Sequence, residues 1–347
     1  MTAPEPAAAR QAPRGGQGNS GAAHRSPVMN WRKLGRIFNP FEHELPGAGA
    51  GFAQSPQAVV LDDCVRIYFS TRARGADGKF LSQVAFADLS KDLQQVLRVN
   101  ARPVLPLGGL GCFDEHGIFP FSPVPVGDEI WAYTTGWSRR VAVSVETAVG
   151  LVVSRDGGAT FERAGPGPVL GPSIHEPCLV GDAFVRRFDG RFHMWTMFGT
   201  GWKHFPGESA PDRIYKIGHA SSADGIHWNK DEGQALVPDR LGPDECQALP
   251  AVIRVGRRYL MVFCYREAYG FRTDPSRGYR LGQAWSDDLV TWTRADDLPR
   301  FEREAGAWDG DMVCYPHLTE IDGRIVLLYN GNAFGREGFG AAVLEEA

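Results

Sequence analysis

A β-hairpin plan constrains the fold of this chain more than any other feature of its sequence. In "CYPHLTEIDGRIVLLYNGN", residues 314–332, two β-rich runs flank Asp322-Gly323. An Asp-Gly pair between such runs is a strong signal for a tight hairpin turn. The first run carries a Pro near its start, and the second run ends in polar side chains. If this plan recurs, the chain is an array of similar units.

The hairpin plan recurs at four other places in the chain. Each copy has the Pro, the apolar strand, the turn and a second strand with a polar end: 55–72, 119–137, 176–202 and 249–266. A third strand follows each copy. Three third strands lead into a Ser-x-Asp turn with an aromatic residue: Ser154–Phe161, Ser222–Trp228 and Ser286–Trp292. We expect a structural role for these turns, because Ser and Asp bond turn amides while the ring packs between sheets.

Five units of about 65 residues predict the fold class. With three or four antiparallel strands each, they indicate an all-β, single-domain, five-bladed β-propeller over residues 31–347. Two β-sandwiches are the alternative, but no linker separates two halves, and no stretch has helical periodicity with caps. The propeller predicts one proline on or next to each innermost strand: Pro56, Pro120, Pro177, Pro250 and Pro316.

Charge and composition exclude some partners. A formal charge of −4 gives no electrostatic case for nucleic acid or an anionic membrane, and no apolar run reaches the roughly 18 residues of a membrane span. Residues 1–28 are rich in Ala, Pro, Gly and Arg without an apolar run, which predicts a disordered tail rather than a signal peptide. Six cysteines without a C-x-x-C pair favour reduced thiols in a cytoplasmic protein. The oligomeric state is not predicted.

Acidic residues before or at the first strands of four units are candidate catalytic groups. Carboxylates that converge on the axis of a propeller repel one another unless a function requires them. Paired carboxylates that act as acid and base are what cleavage of a glycosidic bond requires. For any single acid, capping a strand end or bonding loop amides is the alternative. The catalytic candidates are Asp114, Glu176, Glu245 and Asp309.

Other polar and aromatic residues are predicted to bind substrate. Second strands end in Arg and Asn, which orient hydroxyl or carboxylate groups. The segment 265–284 carries arginines among aromatic rings, as a sugar-binding rim would, although a solvated hairpin loop is the alternative. For Trp202, which ends a second strand, packing in the core is the alternative. The predicted binding residues are Arg72, Glu115, His175, Trp202, Arg266, Arg280, Asp311, Tyr315, His317, Asn330 and Asn332.

The motifs resemble those of a known group. The blade plan, the acids and the turns "SADGIHW" and "SDDLVTW" resemble the five-bladed glycoside hydrolases of the arabinanase, β-xylosidase and invertase type. The segments "FDEHGIFP" and "WDGDMVCYPHLTEIDGRIVLLYNGN" are closer to a less-characterised bacterial branch. The resemblance spans residues 31–346. It implies an Asp base in blade 1, a second Asp in blade 2 and a Glu acid in a later blade.

Carried onto this sequence, the resemblance gives Asp114 in blade 2 and either Glu176 or Glu245 as the acid. Blade 1 departs from the pattern, because the two residues before its Pro are Gln54 and Ser55. A base for the attacking water would then have to come from elsewhere. Glu42 and Glu44 lie upstream of blade 1, and the aspartates of blade 5, which is next to blade 1 once the ring closes, are further candidates: Asp309 and Asp311.

The leading interpretation is a carbohydrate-active enzyme that cleaves or transfers at a glycosidic bond of a sugar or glycosylated small molecule. A non-catalytic sugar-binding propeller and a biosynthetic enzyme that reuses the funnel are the alternatives. The missing acid of blade 1 favours these alternatives, and the acids of the other blades favour catalysis. No cofactor or metal ion is predicted, because no H-E-x-x-H or comparable ligand spacing occurs, and a Ca²⁺ in the channel is left open.

Overall fold

The recurring hairpins form the first two strands of successive sheets. The computed structural model describes residues 29–46, 51–298, 301 and 303–346, so the predicted tail at 1–28 lies outside the described residues. The strands, in chain order, are β1 (Met29–Phe38), β2 (Gln54–Val60), β3 (Val65–Arg74), β4 (Phe80–Leu89), β5 (Val96–Val99), β6 (Gly117–Val126), β7 (Glu129–Arg139), β8 (Val145–Ser154), β9 (Glu162–Arg163), β10 (Cys178–Phe188), β11 (Arg191–Lys203), β12 (Asp212–Ser222), β13 (Asn229–Lys230), β14 (Glu245–Val255), β15 (Arg258–Glu267), β16 (Arg280–Ser286), β17 (Thr293–Arg294), β18 (Cys314–Ile321), β19 (Arg324–Asn330) and β20 (Phe339–Glu346).

These strands form five antiparallel four-stranded blades. Blade 1 contains β2 to β5, blade 2 β6 to β9, blade 3 β10 to β13 and blade 4 β14 to β17, while blade 5 contains β18 to β20 and β1. One parallel bridge, Ser82 to Gly117, also joins blades 1 and 2. Each first strand contacts the first strand of the next blade, and β18 contacts β2. The five first strands therefore surround one axis, and the predicted five-bladed β-propeller is confirmed.

The amino-terminal strand β1 closes the ring. It pairs antiparallel with β20 and supplies the outer strand of blade 5, so both ends of the described chain lie in one sheet. Trp31, on this strand, is 1% exposed. The hairpin pattern did not predict β1, although Trp31-x-Lys33 repeats the spacing of Trp228-x-Lys230 and Trp292-x-Arg294 on the outer strands of blades 3 and 4.

Each first strand is interrupted at the same place. The register of the first two strands breaks at five residue pairs: Ser55-Pro56, Phe119-Pro120, Asp182-Ala183, Leu249-Pro250 and Tyr315-Pro316. Proline fits a bulge because the ladder needs no N–H there. As predicted, all five prolines lie on or next to a first strand. In blade 3, however, Ala183 takes the place of the proline at the bulge, and Pro177 only precedes β10.

The Ser-x-Asp turns link adjacent blades. Ser222 accepts the backbone N–H of Gly225 at 2.8 Å and donates to Asp224 at 3.0 Å. The hydroxyl of Tyr133, in blade 2, donates to the carbonyl of Gly225, in blade 3, at 2.9 Å. The ring of Trp228 then packs edge-on against Tyr133, with centroids 5.5 Å apart. The predicted structural role of these turns is confirmed.

Helical structure is confined to single turns in the described part of the chain. Two 3₁₀ turns span Pro40–Glu42 and Pro275–Arg277. A third short segment, Asn332–Gly335, is irregular because Ala333 and Phe334 have φ angles of 52° and 59°. None of these helical segments has the length and apolar character to cross a membrane.

Candidate active site

Each predicted catalytic acid pairs with a basic side chain on the outer strand of its own blade. The four pairs, from blade 2 to blade 5, are Asp114–Arg163, Glu176–Lys230, Glu245–Arg294 and Asp309–Lys33. All four acids are between 0% and 3% exposed. Burying an ionised carboxylate is costly unless a cation and hydrogen bonds compensate it, and these pairs provide the cation.

In Glu245, hydrogen bonds satisfy both carboxylate oxygens. One carboxylate oxygen accepts the backbone N–H groups of Arg240 and Leu241, each at 2.8 Å. The other oxygen accepts from Arg294 at 2.7 Å and from Gln247 at 2.9 Å. These contacts fix the loop before β14 to the outer strand of the same blade. They correspond to the loop-bonding role that the sequence offers as the alternative for a single acid.

The four acids belong to four different blades. None of them lines the central cavity described below. The expectation that they converge on one mouth of the channel stays a prediction. In blades 2 to 5, the recurring acid accompanies a base on the outer strand of the same blade. A catalytic role for any of them stays a prediction.

The central cavity lies where the first strands begin. It has a volume of about 250 Å³, and residues of all five blades line it. Asp182 is the one carboxylate in its described lining, and Arg72 and Arg213 are the cations. Aromatic side chains make up half of the remaining lining residues: Phe80, Phe119, Trp137, Tyr215, Tyr279 and Tyr315. A concave, largely aromatic site with a few polar groups is the usual form of a small-molecule site.

Asp182 owes its position to the bulge of β10. Its φ angle is 52°, a left-handed conformation that Asp tolerates better than most residues. The residue is 7% exposed. Burial raises the pKa of the Asp182 carboxyl to about 7, while the charge of Arg213 and a backbone hydrogen bond from Leu249 act in the opposite direction. This carboxyl therefore exchanges a proton near neutral pH.

The tyrosines of the cavity are hydrogen-bond donors. The hydroxyls of Tyr215 and Tyr279 share a hydrogen bond, and the rings of Tyr279 and Tyr315 lie 5.7 Å apart. Burial raises the pKa of all three phenols, so they remain protonated at neutral pH. Trp137 adds an indole at the wall, stacked on His116 with centroids 5.9 Å apart.

Four predicted binding residues lie in or beside the cavity. Arg72 and Tyr315 line it. Asp311 lines an adjoining cleft to which Arg72 also contributes. Arg266 lies behind the wall, with its guanidinium 5.4 Å from the ring of Tyr215 and 5.3 Å from that of Tyr279.

Three other predicted binding residues hold the framework together. His317 is fully buried, accepts the backbone N–H of Ala58 at 3.0 Å and donates to Gln57 at 2.8 Å. Asn330 bonds three backbone groups, and Asn332 accepts two backbone N–H groups and donates to a carbonyl. These side chains therefore form the hydrogen bonds that buried backbone groups of blade 5 and its neighbours need.

The remaining predicted residues lie outside the cavity lining. Glu115 accepts a backbone N–H of its own loop, and Arg280 donates to a backbone carbonyl in the 3₁₀ turn that precedes β16. His175 is exposed. Trp202 is half-buried and packs against the core, with its ring 6.0 Å from the Arg213 guanidinium. Core packing was the alternative for this residue.

Sequence reasoning missed Asp182, Arg213 and Tyr215. The proline pattern could not show Asp182, because blade 3 lacks a proline at the bulge. A count from the hairpin turn would have found it: Asp182 lies seven residues before Asp189, as Tyr315 lies seven before Asp322. No comparable signal identifies Arg213, which stands near the start of an ordinary third strand.

Two curated proteins are similar to this chain over most of its length. They are the uncharacterised proteins MT1551 and Rv1502 of Mycobacterium tuberculosis, each 34% identical over 320 residues. The aligned region covers 91% of this chain and 100% of each relative. No protein-family model matches the chain.

Solved structures share the fold at low sequence identity. A glycoside hydrolase superposes with a TM-score of 0.68 at 17% identity, over 91% of both chains. The β-1,2-mannobiose phosphorylase of Listeria innocua gives 0.61 at 14% identity, over 90% of this chain and 96% of its own. A thermostable family-43 glycoside hydrolase gives 0.57 at 13% identity, over 86% and 90%. The resemblance to propeller glycoside hydrolases inferred from the sequence is confirmed at the level of the fold.

Proposed function

Because the chain belongs to the family of these two uncharacterised mycobacterial proteins and has the fold of propeller glycoside hydrolases, we propose that it acts on a glycosidic bond. In this proposal the bond lies in the central cavity, and Asp182 protonates the leaving oxygen. One observation carries the proposal: Asp182 is the one carboxylate in the described lining, and burial raises its pKa to about 7.

The environment of Asp182 suits a general acid. Such a group transfers a proton best when its pKa is close to the working pH. An ordinary aspartate, with a pKa of 3.8, would be ionised at neutral pH, whereas the raised value keeps a proton available. A carboxyl whose pKa is raised by apolar surroundings is the arrangement by which glycosidases obtain their acid.

The walls of the cavity suit a sugar. The flat rings of Trp137 and Tyr315 offer surfaces on which a pyranose or furanose face can stack. Because the hydroxyls of Tyr215 and Tyr279 share one hydrogen bond, one of their two protons is left to donate to a sugar oxygen. These contacts would hold the anomeric carbon near Asp182, which is the positioning that an acid catalyst needs.

A single acid limits the reaction type. Hydrolysis by two carboxylates requires a second one about 5–5.5 Å away for retention or about 6.5–9.5 Å away for inversion. The described lining offers no second carboxylate. This arrangement favours transfer to an acceptor that is already nucleophilic over attack by a carboxylate-activated water.

The pH profile of kcat/KM tests the proposal. Wild-type protein and Asp182→Asn would be assayed against a panel of glycosides with phosphate and alcohol acceptors. We expect kcat/KM of the wild type to fall above pH about 7, as the acid loses its proton, and Asp182→Asn to lower turnover about 10²–10⁴-fold. Asp287→Asn is the matched control, because that side chain is 77% exposed and pairs with Arg258. Full turnover by Asp182→Asn would reject the acid, and sugar binding without any turnover would identify a binding propeller.

A further inference from the structure

Three arginines at the central cavity make no ion-pair contact with a carboxylate in the described structure. Arg72 and Arg213 line the cavity, and Arg266 lies directly behind its tyrosines. Among the described residues, none of the three guanidiniums is in ion-pair contact with a carboxylate, whereas Asp114, Glu176, Glu245 and Asp309 each have a basic partner. The cavity is therefore a site of positive charge in a protein whose net charge is −4.

Arg266 is the most unusual of the three. It is 1% exposed, and its guanidinium lies 3.4 Å from the ring centroid of Phe271. One terminal nitrogen donates to the backbone carbonyl of Glu267 at 2.7 Å, and Nε has no hydrogen-bond partner within the described structure. The aromatic faces of Phe271, Tyr215 and Tyr279 stabilise part of the charge. A buried cation without an anion is costly, so a negative charge on the cavity side would complete the arrangement.

Arg72 and Arg213 have donors to spare. The Nε of Arg72 donates to the side chain of Gln54 at 2.8 Å, and Arg213 donates to the hydroxyl of Ser144 at 3.2 Å. Both acceptors are neutral, and each guanidinium carries five N–H donors in a planar fork. Such forks bind the oxygens of phosphates and carboxylates in pairs.

We infer that the central cavity binds an oxyanion between Arg72 and Arg213, with Arg266 strengthening the positive potential from behind the tyrosine wall. The inference rests on the proposed function in one respect: the oxyanion belongs to the substrate or the acceptor of the reaction at Asp182. The shared chemistry is an oxygen anion that a guanidinium fork can hold. Its two sources are a phosphate group and the carboxylate of an acidic sugar. Water screens charges less in a partly dehydrated cavity, so the arginines attract an anion more strongly there than they would on an open surface.

Calorimetric titration with the anions alone tests this inference. Inorganic phosphate and glucuronate would be titrated separately, at constant ionic strength, into wild type, Arg72→Gln and Arg213→Gln. We expect one binding site per chain in the wild type and at least a roughly tenfold loss of affinity in each variant, as for removal of a charged hydrogen bond. Arg155→Gln is the control, because that side chain is 65% exposed and pairs with Glu129 on blade 2. The anion that binds identifies the source.

The outcomes separate this inference from the proposed function, because the titration involves no turnover. Binding of neither anion by the wild type would overturn the inference, and so would an equal loss of affinity in Arg155→Gln. Arg72 and Arg213 are both half-buried, so both variants are expected to fold. Anion binding combined with full turnover by Asp182→Asn would keep the site and reject the acid. Loss of turnover in Asp182→Asn without anion binding would do the reverse.

Discussion

Asp182 and Arg213 line the same cavity, and the charge of Arg213 opposes the rise in the Asp182 pKa that burial causes. With a resulting pKa of about 7, the carboxyl is partly protonated and partly ionised at neutral pH. It can therefore give up a proton in one half of a reaction and take it back in the other.

Asp182→Asn is expected to stabilise the protein at alkaline pH. The folded-state pKa of about 7 lies above the ordinary value of 3.8, so the folded state binds the proton more tightly. The contribution of this group to the free energy of unfolding is complete below pH about 4 and is lost as the pH rises to about 7. The loss is at most on the order of 4 kcal/mol at pH 8. Asparagine carries no charge and avoids it.

Thermal melts at two pH values check this expectation. The Tm of Asp182→Asn should exceed that of the wild type by several degrees at pH 8, and the difference should vanish near pH 4. Arg155→Gln serves as a neutral surface control. A Tm difference that is the same at both pH values would show that the carboxyl does not titrate between them.

Glu245→Gln is expected to destabilise the fold and leave turnover of the folded enzyme unchanged. Glu245 and Arg294 are 0% and 4% exposed at their side chains, and removing one partner of a buried pair costs about 3–5 kcal/mol. Glu345→Gln, which breaks the exposed pair with Arg32, should cost less than about 1 kcal/mol. Urea unfolding measures both. A hundredfold fall in kcat of the folded Glu245→Gln protein would restore that acid to the catalytic set.

Removing residues 1–28 is expected to leave the Tm unchanged, whereas removing residues 1–38 should prevent cooperative folding. The shorter deletion removes a polar, low-complexity segment. The longer one removes β1, and with it Trp31 from the core and Lys33 from Asp309. Circular dichroism melts of both truncated chains distinguish the cases. A folded chain without β1 would mean that three strands suffice for blade 5.

Trp137 is expected to report on ligand binding. It lines the cavity, so Trp137→Ala should raise KM about tenfold with little change in kcat, as the loss of an aromatic stacking surface does. Trp131→Ala, on the part of β7 that stacks on Phe192 between blades 2 and 3, is the matched control for KM. Similar KM values for wild type and Trp137→Ala would place the sugar elsewhere.

The fold could be predicted from the sequence because its signals are local. Turn residues such as Asp189-Gly190 and Asp322-Gly323 sit between β-rich runs, and both pairs adopt left-handed φ angles at the observed turns. The spacing of these hairpins then determines the number of blades. The strand β1 was not predicted, because its partner β20 lies at the other end of the chain and pairing at that separation leaves no local signal.

The candidate site could be predicted only in part. Arg72 and Tyr315 were found because they stand at strand ends next to the repeating motif. The bases that pair with the four acids could not be predicted, because a repeated acid looks the same in sequence whether it faces the axis or a base on its own blade. Glu245 and Arg294 are 49 residues apart, and only the folded blade shows that they touch. Asp182 was not predicted, because the bulge on which it lies in blade 3 lacks the proline that marks this position in the other blades.

The leaving-group dependence of Asp182→Asn tests the central claim most directly. Turnover of an aryl glycoside with a good leaving group and of the matching glycoside with an alcohol leaving group would be compared in wild type, Asp182→Asn and Glu245→Gln. An acid that protonates the leaving oxygen matters most when that oxygen leaves poorly. We predict that Asp182→Asn slows the alcohol glycoside about 10²–10⁴-fold and the aryl glycoside far less, while Glu245→Gln changes neither ratio. Equal slowing of both substrates by Asp182→Asn, or selective slowing by Glu245→Gln, would contradict the assignment of Asp182 as the acid.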